Sequence, residues 1–201
     1  LNTDNTNIFD YQEDVFAAFI DYSYKGEKFS LSTGLRAEQT NISGMSSNSM
    51  DNSQDYLEFF PTANIGFKIS DNLDAYVNYK RSILRPNYSD LNPFVYYLND
   101  NTIVTGNPEL KPVFINSFVL GVSINDKFIF NVYLKDYQNN LFQLPLQDNE
   151  NNLVTYSKVN LENTREIGFD LETYLNITDN WSLYFGTSIY NYNDKGVISG
   201  S

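Results

Sequence analysis

Apolar and polar residues alternate with a period of two in eight runs along this chain. In the first, Phe16, Ala18, Ile20, Tyr22 and Tyr24 share a face, and Val15, Ala17, Phe19, Asp21 and Ser23 share the other. The second sets Phe29, Leu31, Thr33, Leu35 and Ala37 against Ser30, Ser32, Gly34, Arg36 and Glu38. The third gathers Leu57, Phe59, Pro61, Ala63, Ile65, Phe67 and Ile69 opposite Glu58, Thr62, Asn64, Gly66 and Lys68. The fourth has Leu73, Ala75, Val77 and Tyr79, the fifth Phe114, Phe118, Leu120, Val122 and Ile124, and the sixth Phe128, Phe130, Val132 and Leu134. The seventh carries Ile167, Phe169, Leu171 and Leu175, and the eighth Trp181, Leu183, Phe185 and Ile189. Successive side chains of a strand point to opposite faces, so this pattern predicts strands with one apolar and one polar face. They fall at about 14–24, 29–40, 56–69, 73–84, 113–124, 128–138, 164–177 and 181–193. Pro61 lacks an N–H for a ladder, which predicts a bulge or an unpaired spot there.

The connections alternate in length. Short turns are expected at 25–28, 70–72, 125–127 and 178–180, and long loops at about 41–54, 86–112 and 139–163. Outer-membrane barrels join long strands in this way, with short periplasmic turns and long extracellular loops. Aromatics gather at both ends of the runs. Tyr22, Tyr24, Phe29, Phe67, Phe128 and Trp181 lie by the short turns; Tyr11, Tyr56, Phe59, Phe60, Tyr137, Tyr190 and Tyr192 lie by the long loops. They are expected to form two interfacial girdles. A soluble antiparallel sandwich also alternates, but its strands average about 5–6 residues. The expected fold is therefore all-β: an antiparallel up-and-down meander of about eight long strands, part of a large transmembrane β-barrel. The first and last strands should not pair.

Composition narrows the function. The 201 residues include no cysteine and no histidine and carry a formal net charge of −12. The charge opposes binding to nucleic acid, which needs a basic surface. Without histidine or cysteine there is no Ser-His-Asp triad and no histidine- or thiolate-ligated metal. Asp170 and Glu172 share a face, as paired glycosidase carboxylates do, but hydrated lining of a polar wall explains them as well. No enzyme activity and no cofactor are expected. No run approaches the roughly 20 apolar residues of a membrane helix, whereas a membrane strand needs only about 9–11. The start, Leu1-Asn2-Thr3-Asp4, has no signal-peptide pattern, so an exported chain would be an internal fragment or a processed product.

Two stretches carry a family likeness. Arg81-Ser82-Ile83-Leu84-Arg85-Pro86 leads into Leu91-Asn92-Pro93-Phe94, and Thr105-Gly106-Asn107-Pro108-Glu109-Leu110-Lys111-Pro112 leads into the fifth run. The paired motifs resemble the barrel of a TonB-dependent outer-membrane receptor, in the branch common in Bacteroidetes-type bacteria. The resemblance implies uptake of a scarce solute, such as a siderophore or a glycan, through a barrel of about 22 strands with a plugged lumen. It also implies four partners: outer-membrane lipid, a plug domain of the same protein that is not visible here, a TonB-type energising protein, and a small-molecule or oligosaccharide ligand. A passive porin or adhesin barrel and a soluble glycan-binding β-sandwich are the competing readings.

The loop at 86–112 holds the ligand candidates. Tyr88, Phe94, Tyr96 and Tyr97 stand among Asn92, Asn99 and Asp100, and aromatic plates beside amides suit sugars or siderophore-like rings. Loops packing on one another would use the same residues. Arg81 and Arg85 are candidates for lumen or plug contacts. Gly106 is expected to supply a positive φ. Residues 41–54, rich in Ser and Asn, are expected to be mobile, and 141–159 to form a small hairpin turning at Asp148–Asn152.

Overall fold

The computed structural model describes residues 8–46 and 49–196. They form ten strands of one sheet: β1 Phe9–Lys25, β2 Phe29–Ser46, β3 Ser49–Ser70, β4 Leu73–Leu84, β5 Tyr96–Asn99, β6 Thr102–Val104, β7 Val113–Ile124, β8 Phe128–Asp148, β9 Leu153–Thr178 and β10 Trp181–Lys195. One four-residue helix, α1, covers Tyr88–Leu91. The eight long strands lie in the order β1-β2-β3-β4-β7-β8-β9-β10, each antiparallel to its neighbour, so every short turn joins adjacent strands. Among the described residues β1 and β10 each pair on one side only. At the β7–β8 turn Asn125 and Asp126 take φ of 54° and 53°, as a tight hairpin turn requires.

The register makes the two faces continuous. One row runs Tyr24, Leu31, Ile65, Val77, Leu120, Val132, Phe169, Ile189 across all eight long strands. Leu35, Phe67, Phe118, Phe130, Leu171, Leu183 and Phe185 share that face. The next row is Ser23, Ser32, Asn64, Asn78, Val119, Tyr133, Gly168, Tyr190, and Arg36, Asn131, Asp170 and Glu172 share its face. No second sheet covers the apolar rows: Leu120 is 57% exposed and Ile189 71%. An apolar face this wide and this open suits lipid, whereas a sandwich would bury it. On the polar face tyrosines lie flat across glycines. Tyr76 crosses Gly121 to donate to Asn131 Oδ1 at 2.6 Å, and a Cβ at Gly121 would overlap its ring.

Three expectations are corrected, and the hairpin expected at 141–159 is found within a longer ladder. Residues 41–54 and 139–163 are largely ladder rather than loop. β2 and β3 pair from Phe29↔Phe67 up to Ser46↔Ser49, and β8 and β9 from Phe128↔Thr173 to Asp148↔Leu153. Beyond the apolar belt the alternation is lost while the backbone hydrogen bonds continue. The expected hairpin at 141–159 is the tip of this β8–β9 extension, with its turn between Asp148 and Leu153. The second aromatic girdle is not a girdle. Tyr11, Tyr56, Phe60, Tyr137, Tyr190 and Tyr192 occupy polar-face positions in the register, and only Phe59 of that set points to the apolar side. The girdle by the short turns does lie on the apolar face, with Phe29 between Tyr24 and Phe67 in tilted contacts at 6.3 and 5.4 Å. Finally, β5 and β6 add two strands of four and three residues, too short to show a period.

Pro61 has a specific place. It pairs with Leu35 without a bulge, but the β3–β4 ladder ends one residue later at Thr62↔Lys80. The residue without an N–H thus sits where β4 leaves β3. Arg81 fills the split, donating to the Phe59 carbonyl at 2.8 Å.

Candidate functional site

The segment between β4 and β7 is a strap laid over the polar face at the end away from the short turns. It starts beside β3, and its hairpin β5–β6 reaches the far edge of β9, where β6 runs parallel to β9 from Thr102↔Val154 to Val104↔Tyr156. Buried apolar residues come from both the strap and the wall. Leu91 and Leu110 come from the strap; Phe60, Val113, Phe114 and Leu161 come from the wall. Val113 is wholly buried and Leu110 is 2% exposed.

Charged groups clamp one end. The Arg85 guanidinium lies 2.7 Å from Glu13 and 2.8 Å from Glu38, and donates to Thr40 Oγ1 at 3.2 Å. The contact to Glu13 is off the hydrogen-bond line, so it acts as an ion pair. Arg36 holds the other Glu38 oxygen at 2.7 Å. Glu38 is nearly buried, so its charge depends on these partners. Arg81 pairs with Glu58 at 2.7 Å and lies over the Phe114 ring at 4.9 Å. Tyr88 donates to the Phe9 carbonyl at 3.1 Å, its ring 5.5 Å from that of Phe9. Burial, with the Glu13 carboxylate beside it, pushes the Tyr11 phenol up.

The other end is tied to β9. Lys158 pairs with Asp90 at 2.8 Å, and the Asn107 side chain donates to the Lys158 carbonyl at 3.2 Å. Asn160 accepts from the Lys111 amide at 2.8 Å and donates to its carbonyl at 2.9 Å. Gly106 does not have a positive φ, contrary to expectation. Its requirement is space: its amide donates to the Asn92 carbonyl at 3.1 Å, and a Cβ would strike that carbonyl and the one of Asp90.

The strap sorts the candidate residues by employment. Asn92 caps the Phe94 amide at 3.1 Å, and Asn99 caps that of Asn101 at 2.9 Å, so both amides serve turns. Tyr88 anchors the strap to β1. Phe94 packs edge-on against Tyr96 at 4.9 Å. Tyr96 and Tyr97, on opposite faces of β5, are exposed, as is Asp100 at the turn between β5 and β6. Arg81 and Arg85 face carboxylates of this same wall. Sequence reasoning missed Glu13, Glu38, Lys158 and Asn160. Glu38 left one trace, standing two residues from Arg36 on the polar side of its run; Lys158 and Asn160 fell in an expected loop.

Lower on the same face, Glu166 is almost fully buried. It accepts from Tyr133 and Tyr137 at 2.9 Å each and pairs with Lys135 at 3.3 Å. β8 presents these three donors at alternate positions, and Gly168 on β9 leaves room for the Tyr133 ring to lie flat.

A single-layer wall with lipid on one side, a hydrated face on the other and an inward strap is that of an outer-membrane β-barrel. Residues 1–200 match the outer membrane protein beta-barrel family, and the chain belongs to it. No curated protein matches the sequence. Among solved structures the fold is similar to part of the copper transporter OprC, with TM-score 0.64 and 15% identity over 89% of this chain and 29% of that one. It is similar to the ferric-catecholate import receptor Fiu of E. coli K12, with TM-score 0.61 and 17% identity over 94% and 29%. It is also similar to the FrpB iron transporter of Neisseria meningitidis, with TM-score 0.60 and 14% identity over 92% and 26%. The fold is shared with part of each of these proteins, and the chain spans less than a third of the length of each.

Proposed function

We propose that this wall belongs to an energised outer-membrane receptor that imports a scarce solute, a siderophore or a glycan. In this reading a plug domain of the same protein fills the lumen, and a TonB-type protein drives release from the periplasmic side. The observation that carries it is the strap. A connection bound over the hydrated face from β1–β3 to β9 narrows the mouth and offers an ordered surface to a solute held there, alongside Tyr96, Tyr97, Phe94 and Asp100. The structural neighbours are transporters and import receptors, which supports a transport role over catalysis.

The test is accumulation of radiolabelled ferric siderophores and oligosaccharides by cells carrying the full-length protein, with and without a protonophore. Uptake of one solute that stops when the proton gradient collapses is the expected result. Uptake that persists without the gradient would establish a passive porin instead.

A further inference from the structure

We infer that the cleft between the strap and the β8–β9 extension is a binding site for a neutral sugar ring, an inference that rests on the import reading above. The cleft has a volume of about 360 Å³, in the range of small-molecule sites. Its floor is set by register. Tyr96 of β5 pairs with Val104 of β6, which pairs with Tyr156 of β9, so the three side chains stand in one row on one face. Neighbouring strands are about 4.8 Å apart, so the two tyrosines rise roughly 10 Å from each other with only a valine between them. At roughly 3.5–4 Å per contact, one flat ring between two aromatic plates needs about 7–8 Å and two stacked rings about 11–12 Å. The trough therefore accepts one ring.

Its polar groups select the kind of ring. Gln143 pairs with Lys158 across β8 and β9 and lines the cleft with Ser89 of the strap. The side chains of Gln143 and Ser89 and the hydroxyls of Tyr96 and Tyr156 make no hydrogen bonds within the described residues, so they are available to a ligand. The two ionised groups, Asp90 and Lys158, neutralise each other at 2.8 Å. Arg81 and Arg85 are committed to Glu58 and to Glu13 and Glu38. A cleft with amide and hydroxyl groups, two aromatic plates and no spare cation fits a polyol that presents C–H faces and hydroxyl edges. It does not fit a multiply anionic iron chelate, which calls for unpaired basic groups.

The experiment is calorimetric titration of the full-length receptor in detergent with cellohexaose, maltohexaose, xylohexaose and laminarihexaose, and with ferric enterobactin as the anionic probe. At least one hexasaccharide should bind. Tyr96→Ala and Tyr156→Ala should each weaken it about tenfold. Phe142→Ala, next to Gln143 but on the opposite face of β8, should leave it unchanged. Tyr96 lies on an exposed edge strand, so its variant keeps the fold even if the Tyr156 variant does not; heat-modifiable mobility checks both. No hexasaccharide binding, binding of ferric enterobactin alone, or wild-type binding by a folded Tyr96→Ala protein would each overturn the assignment. Binding that obeys these variants without energised uptake would overturn the import reading and keep the cleft. Energised uptake that ignores the variants would do the reverse.

Discussion

The two halves of this wall, the belt next to the short turns and the extension beneath the strap, are built from the same ladders in different solvents. In the belt, lipid lies on one side and a hydrated lumen on the other, and each side chain is assigned by parity. Phe169 and Asp170 are neighbours in sequence and face opposite solvents. In the extension both faces meet water, so β8 and β9 run on through Asn140, Gln143, Lys158 and Asn160 without a period. What fixes the extension is tertiary: buried ion pairs and apolar residues trapped between strap and wall. The belt is specified position by position, the extension by partners far away in the chain.

The largest effect is expected where that long-range specification is densest. Arg85→Met removes the cation that Glu13 and Glu38 share. Breaking a buried pair costs about 3–5 kcal/mol, and the lower end applies because Arg36 still holds Glu38. Limited proteolysis of the full-length receptor in membranes should then cut within 86–112 while the belt still migrates as folded barrel. Uncut straps would mean that the ion cluster does not hold them.

In the belt the sharpest break is a charge on the wrong side. Arginine facing lipid at the bilayer midplane costs about 2–4 kcal/mol in a barrel. Phe169→Arg should therefore reduce heat-modifiable folded barrel, whereas Asp170→Arg, one residue away, should not. Equal losses from the two would show that parity does not assign these faces.

A smaller effect is expected at the packed polar face. Gly121→Ala pushes the Tyr76 ring aside and costs the hydrogen bond to Asn131, about 1–3 kcal/mol for an overpacked site. The thermal midpoint should fall for Gly121→Ala, and adding Tyr76→Phe should cost little more. Additive losses would mean that the ring and the glycine are independent.

The belt was legible in the sequence because a strand between two solvents must alternate: the strand faces, their order and the four short turns follow from residues such as Leu31, Ile65 and Leu120. The upper aromatics misled, because proximity to a strand end says nothing about parity; Tyr137 and Tyr192 are polar-face residues that meet at 6.1 Å. The strap was visible as a motif but not as a geometry. Arg85 and Gly106 marked it, yet Arg85 finds its partners in two other runs, at Glu13 and Glu38, and Gly106 meets backbone earlier in the strap, at Asn92. The turns capped by Asn92 and Asn99 are local, but the trough between Tyr96 and Tyr156 depends on where β6 docks, which no local pattern encodes.

The strap also imposes an order of assembly. Hairpins joined by two or three residues close fast, since little chain must be gathered. The strap's contacts join Tyr88 to Phe9, Arg85 to Glu38 and Asp90 to Lys158, separations of 79, 47 and 68 residues. None can form until strands on both flanks have reached their places. Burial of Leu110 and protection of the strap from protease therefore report that the wall from β1 to β9 has been completed, and during insertion they should come last.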